Sequence, residues 1–260
     1  MSKFEIKNRY GLKIVGNVSI PEKPTGCAFV LHGLGGMKEN AHIMVIVDVL
    51  FSNGYTVVNF DATNSVGESE GKYENATFVL HYEDLADVIA WAKSQLWYLE
   101  PFILAGHSMG ADAVAKYAEE HPAEVKAVFP FAPIVSGRLS FEATERFEPG
   151  KLRKWEETGW TERMSRSKPG TVLHLPWAHM EGRLKHDLET KATSLTMPVL
   201  LVVGEHDGPC PPEHQKLLFD MIPPDTEKEL YIVSRAPHVF VEPEHLDQLR
   251  NIFDKWLKQL

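Results

Sequence analysis

The chain is poor in the features that define several broad protein classes. Two cysteines, Cys27 and Cys210, in 260 residues are too few for a disulfide framework; one lies in a strand-like run and the other in a proline-rich loop, so both are expected as free thiols. No apolar run approaches the ~20 residues of a membrane-spanning helix, and the longest, such as IMVIVDVLF from residue 43 and PVLLVVG from 198, predict no span. The N-terminal stretch MSKFEIKNRYGLKIVGNVSI lacks the apolar centre and small-residue cleavage site of a secretory signal, which predicts a cytoplasmic protein. Basic charge is also short. With 27 Lys+Arg against 36 Asp+Glu and a net charge of -9, a nucleic-acid partner is not expected, because such binding rests on cations neutralising phosphates. What remains is a globular chain long enough to bury roughly three-quarters of its unfolded surface without a disulfide or metal staple, with a small neutral or amphipathic molecule as its expected ligand.

What is present alternates between strand-like and helix-like runs, with no internal repeat. Residues 4–8 and 12–20 alternate as a β-hairpin. CAFVLHG (27–33), YTVVNFD (55–61), PFILAGHS (101–108), VKAVFPFAP (125–133), PVLLVVGEHD (198–207) and KELYIVS (228–234) read as strands buried on both faces, as a parallel sheet requires. Helix-like stretches at 40–53, 78–96, 109–120, 213–221 and 244–260 have the length of crossovers or end helices. The interval 134–190 breaks the alternation and is too long for an ordinary connection. It predicts a cap inserted after the sixth strand, on a core domain formed by 1–133 and 191–260. Residues 136–190 hold 10 Lys+Arg and 9 Asp+Glu, so the cap is nearly neutral and the core carries the negative charge. This distribution predicts an uncharged, partly apolar substrate. The cap also holds Trp155, Trp160 and Trp177, half of the six tryptophans, with Met164 and Met180, a composition that suits either a local core or ligand contact.

The most informative stretch is AGHSMGADA, 105–113, where Gly106, Ser108 and Gly110 form G-x-S-x-G between an apolar strand and a helix-like run. Small residues on either side let a strand and helix approach closely while the serine projects from a strained turn. A serine hydroxyl needs a base to take its proton and an acid to orient that base. Asp207 ends PVLLVVGEHD, and His238 in SRAPHVF follows the last strand-like run, which gives the Ser, acid, His order. Asp61 and Asp84 are rival acids in less suitable positions. Among the other histidines, His32 and His107 flank strand ends and are expected to brace the neighbouring turns. His174, His179 and His186 lie in the cap at spacings that form no compact metal motif.

Attack on a carbonyl creates an oxyanion that needs two preorganised donors. VLHGLGGMKEN, 30–40, is a strand ending in a glycine-rich turn, and the amides of Leu34 and Met109 are the expected donors. Gly33, His107, Trp160 and Val239 are the expected substrate contacts, with a hydrophobic slot under Trp160. The same turn does not match a phosphate-binding loop, since Lys38 precedes Glu39 and the glycine spacing is wrong.

HGLGG, GHSMG, GEHD and APH in this order resemble the serine α/β-hydrolase superfamily over essentially the whole chain. The stretch at 60–94 is similar to feruloyl or cinnamoyl esterases and monoacylglycerol-lipase-like members, which often read D-x-x-G-x-G-x-S-x-G. Gly67, Ser69 and Gly71 match that pattern, and Asn64 and Ser65 depart from it. The resemblance implies an α/β fold with a central, mostly parallel eight-stranded sheet flanked by helices and a cap after the sixth strand. It also implies a carboxylesterase that needs no metal or organic cofactor and acts on small, medium or aromatic acyl esters. A peptide or thioester hydrolase using the same triad is the alternative, and a non-catalytic ligand receptor on the same scaffold is a third reading. An aromatic-rich insertion serves equally as substrate cover or as a face between copies in a homodimer.

Overall fold

The computed structural model describes residues 1–260. The chain forms ten strands: β1 (Ser2–Lys7), β2 (Lys13–Ser19), β3 (Gly26–Leu31), β4 (Tyr55–Asp61), β5 (Phe102–His107), β6 (Val125–Phe131), β7 (Trp160–Met164), β8 (Val172–Pro176), β9 (Val199–His206) and β10 (Lys228–Pro237). Eight of them make one sheet in the order β1-β2-β4-β3-β5-β6-β9-β10. β1 and β2 pair antiparallel, as do β2 and β4; the remaining neighbours are parallel. This is the mostly parallel eight-stranded sheet that the resemblance to serine α/β-hydrolases implies. The helices are α1 (Ala41–Ser52), α2 (Phe78–Ala92), α3 (Met109–Glu120), α4 (Gly137–Phe147), α5 (Lys151–Thr158), α6 (Trp177–Arg183), α7 (Pro212–Met221) and α8 (Pro243–Leu257). α2 stops earlier than its apolar pattern suggests, because the Ser94 and Gln95 amides turn to carbonyls three residues back, those of Trp91 and Ala92, a tightening common where helices end.

Alternation along the central strands divides the apolar residues between two cores. Cys27, Phe29 and Leu31 of β3 face a layer that includes Leu85 and Val88 of α2 and Val114 of α3. Ala28 and Val30 face Ile43 and Ile46 of α1 and Phe253 and Trp256 of α8. Strands covered on both sides cannot alternate polar and apolar residues, which is why they read as continuous apolar runs.

From β3 the chain passes to β4 on one side and later returns to β5 on the other. The carboxyl ends of β3 and β5 therefore flank a topological switch point, the usual crevice for ligands in open α/β sheets. The segment after β6 contributes α4, α5, the β7-β8 hairpin and α6. Its own small core joins Leu152, Trp155, Leu173, Leu175 and Met180 to Val66 and Tyr73 of the loop after β4. The Trp155 indole donates to the Leu175 carbonyl at 3.0 Å, so this ring is structural as well as apolar.

Candidate active site

The switch point is built from two turns. At the end of β5, Ser108 adopts φ 53° and ψ -123°, a conformation that an ordinary residue holds only when its surroundings impose it. Those surroundings are close: a Cβ on Gly106 would collide with the Gly110 backbone, and one on Gly110 would collide with the Leu31 and His32 carbonyls. The Ser108 amide donates to the Phe131 carbonyl at 2.9 Å, tying the turn to β6. Ser108 precedes α3 but its hydroxyl caps no helix amide. By contrast, the Thr77 hydroxyl accepts from the Leu80 amide at the start of α2. The Ser108 hydroxyl is thus left to another partner.

That partner is His238, whose Nε2 lies 3.0 Å from Ser108 Oγ, while its Nδ1 lies 2.7 Å from Asp207 Oδ2. Asp207 is buried, and its Oδ1 accepts the Cys210 amide at 2.7 Å, so its second oxygen is held toward the imidazole. Burial pushes the Cys210 thiol well above its ordinary value, which leaves an inert thiol whose backbone braces the acid. The His107 imidazole packs 4.8 Å from the His238 ring, and its Nε2 donates to the His238 carbonyl at 2.9 Å. Burial, with the nearby imidazoles, holds His107 well below its usual value. It is a neutral brace.

The second turn follows β3. His32 Nδ1 donates to the Gly33 carbonyl at 2.8 Å and its Nε2 accepts the Ala62 amide at 3.1 Å, a pairing that allows only one neutral tautomer. Gly33 sits so close to Ser108 that a Cβ there would stand 2.9 Å from Ser108 Cβ. The Leu34 amide donates to no protein acceptor, and Met109 is the first residue of α3, whose amide has no partner within the helix. Leu34, Ser108 and Met109 share the wall of a cavity of about 180 Å³. The end of α3 adds the positive pole of its dipole to this wall.

A second cavity of about 410 Å³ opens on the other side of Ser108 and is lined by Gly33, His107 and Val239, among others. Three of the four expected substrate contacts therefore border it. Trp160 does not. It lies on β7, whose outer face has no covering layer, is 49% exposed and lines neither cavity; Trp155, Phe78 and Tyr73 supply the aromatic surface of the smaller one. The expected slot under Trp160 is corrected accordingly.

The rival acids are engaged elsewhere. Asp61 receives Lys38 Nζ at 2.7 Å, the Lys38 amide at 2.8 Å and the Glu68 amide at 2.9 Å. Asp84 accepts from Asn8 and from the amide and hydroxyl of Thr63. Sequence reasoning missed Tyr73, Arg163 and Arg183, which also line the smaller cavity. Nothing local distinguishes them, because they reach Ser108 only through tertiary packing.

The family model described as serine aminopeptidase, S33, matches residues 22–170. The chain belongs to this hydrolase family. Membership agrees with the sheet order and with the position of Ser108 between β5 and α3. Among curated proteins, this S33 member is 24% identical over 272 residues to an Escherichia coli protein described as "Uncharacterized 31.7 kDa protein in traX-finO intergenic region", covering 94% of this chain and 92% of that one. It is 26% identical over 194 residues to human Protein ABHD12B, covering 74% of this chain and 48% of the relative. Among solved structures, Est1E from Butyrivibrio proteoclasticus with bound ferulic acid superposes with a TM-score of 0.82 at 20% identity, covering 98% of each chain. Mouse alpha/beta hydrolase domain-containing protein 10 gives 0.79 at 17% identity, covering 100% of this chain and 99% of that one. At these identities the structural likeness speaks for the shared α/β-hydrolase fold.

Proposed function

We propose that this hydrolase cleaves carboxylic esters by two-step acyl transfer at Ser108, with His238 as base and Asp207 as its orienting acid. The observation that carries the reading is the continuous line from Ser108 Oγ through His238 to Asp207, at 3.0 and 2.7 Å, beginning on a serine held at φ 53°. His238 Nε2 takes the hydroxyl proton as Oγ attacks the ester carbonyl, and Asp207 stabilises the imidazolium that forms. The Leu34 and Met109 amides receive the developing oxyanion. When the C–O bond breaks, His238 returns the proton to the leaving alcohol. A water then gives its proton to His238 and attacks the acyl-enzyme, and Oγ leaves with that proton. The segment 134–190 acts as a cap on this core, supplying one wall of both cavities.

The family description raises aminopeptidase activity as a second reading. Recognition of a free α-ammonium group needs an available carboxylate near the nucleophile. The two that line the smaller cavity, Glu148 and Glu162, lie 2.6 Å from Lys151 and 3.2 Å from His174 respectively. This favours an ester over a peptide with a free amino end. Ser108→Ala is expected to lower kcat on a p-nitrophenyl acyl ester by roughly four or more powers of ten in a protein with unchanged folding. Near-normal turnover by that variant would remove Ser108 from the mechanism.

A further inference from the structure

The chain has nine arginines. Six have a carboxylate within 4 Å, and Arg163, Arg166 and Arg183 have none. All three line the cavities that meet at Ser108. Arg183 is the innermost. Its Nη1 donates to Ser140 Oγ at 3.2 Å, its Nη2 donates to His179 Nε2 at 3.2 Å, and its Nε is buried without a partner. His179 is neutral: its Nδ1 donates to the Ala76 carbonyl at 2.8 Å, leaving Nε2 as an acceptor, and burial lowers its pKa to about 3. Nothing around the Arg183 guanidinium is a paired anion. The buried carboxyl of Asp112 lies in the same region and burial raises its pKa, but none of its oxygens comes within 4 Å of the guanidinium; the near basic group of Asp112 is the His186 ring, at 3.9 Å.

Arg163 reaches the same cavity from β7. Its Nη2 donates to the Leu34 carbonyl at 2.6 Å, in the space beside Gly35, which has φ +66° and no Cβ to obstruct the guanidinium. Its guanidinium carbon lies 5.4 Å from the centre of the Tyr73 ring. Tyr73 is 8% exposed, lines the smaller cavity, and its hydroxyl has no hydrogen-bond partner. Of the other charges in that wall, Lys151 is matched by Glu148 at 2.6 Å, and Glu162 lies 3.2 Å from His174.

A buried guanidinium without a counter-ion and a buried hydroxyl without an acceptor are each costly to keep. An anion between them would satisfy both, and guanidinium groups bind planar or tetrahedral oxyanions through charge-assisted, often paired hydrogen bonds. We propose that the smaller cavity is an anion subsite, and that the ester cleaved at Ser108 carries a second, anionic group, carboxylate or phosphate, held by Arg183, Arg163 and the Tyr73 hydroxyl. This rests on the esterase reading above and replaces the uncharged substrate expected from the near-neutral cap. The cap balances its charge overall, but Glu142, Glu148, Glu157 and Glu189 are paired with its Lys and Arg side chains while its unpaired arginines face the cavities.

The test compares three p-nitrophenyl esters of matched length on the full-length protein: hexanoate, the adipate monoester and 5-phosphonopentanoate. At least one anionic ester is expected to exceed hexanoate tenfold or more in kcat/KM, mainly through KM, and the better of the two identifies the anion. Arg183→Gln and Arg163→Gln should each reduce the anionic-to-hexanoate ratio at least tenfold, with Arg183→Lys retaining part of it. If Arg183→Gln does not fold, the wild-type ranking and Arg163→Gln still decide. Hexanoate hydrolysed as well as both anionic esters, or a ratio that neither substitution moves, overturns the subsite while leaving the esterase reading intact. Failure to cleave any of the three, together with no labelling of Ser108 by a fluorophosphonate, removes the esterase reading and the subsite with it.

Discussion

At the scale of single residues, Ser108 depends on glycines that never meet substrate. Gly110 brings α3 against the carbonyls of Leu31 and His32, and backbone atoms cannot move aside as a flexible side chain can. Gly110→Ala should therefore cost about 3 kcal/mol or more of stability, read as a lowered urea midpoint, with activity falling in parallel. A variant as stable as the parent would show that the elbow has slack. The three residues of the proposed triad were legible in the sequence because each stands immediately after a strand of the central sheet, buried for β5 and β9 and at the sheet edge for β10, in the Ser, acid, His order. Trp160 was misread because a short run such as WTERM does not reveal which face of a two-stranded hairpin is covered. The arginines could not be read at all: Arg163 and Arg183 stand out only through the absence of carboxylates around them, a property of tertiary packing.

At the scale of elements, the turn after β3 is fastened to the loop after β4 by Lys38. Its ammonium is 1% exposed and lies 2.7 Å from Asp61 and Glu68 and 2.8 Å from Glu39. Burial alone would lower its pKa, but the hydrogen-bonded carboxylates hold it above the usual value. The lysine that sequence spacing separates from a phosphate loop thus serves as an internal clamp behind the turn after β3. Lys38→Met leaves Asp61 buried and uncompensated, and should destabilise the protein by about 3 to 5 kcal/mol. Denaturant unfolding measures this directly, and a loss below about 1 kcal/mol would mean that the turn is held by its backbone bonds alone. The strands of the core were legible as apolar runs and the helices as the stretches between them. Within 134–190 the individual elements were not legible, because they are short and pack on the loop that holds Val66 and Tyr73 rather than on the sheet.

At the scale of the whole molecule, burial sets the response to pH. Burial holds His32, His42, His81, His107, His179, His186 and His214 below their ordinary values, with His42, His81 and His179 at about 3 and His186 at about 4. The unfolded chain takes up protons on these groups near pH 6.5, and the folded chain does not until far lower pH. Stability from this source is complete above about pH 6.5 and declines as the pH falls toward 4. Burial acts in the opposite sense on Glu119, raising its carboxyl to about 8, and on Asp84 and Asp112, which it also raises. The folded state retains their protons, so their contribution declines as pH rises from about 4.5 to 8. With seven histidines against three carboxyls, the melting temperature should peak near pH 6.5 to 7 and fall on both sides. Glu119→Gln should flatten the alkaline side and leave the acid side in place, as calorimetry across pH 5 to 9 would show. A flat profile, or one unchanged by this substitution, would contradict the assigned burial.

The central claim is that Ser108 is an activated nucleophile, and the most direct measurement is the site and rate of its reaction with a fluorophosphonate, mapped by mass spectrometry. One adduct is expected, on Ser108, forming rapidly in the parent protein and at least a hundredfold more slowly in His238→Ala. No adduct on Ser108, or equal labelling in both proteins, would contradict it.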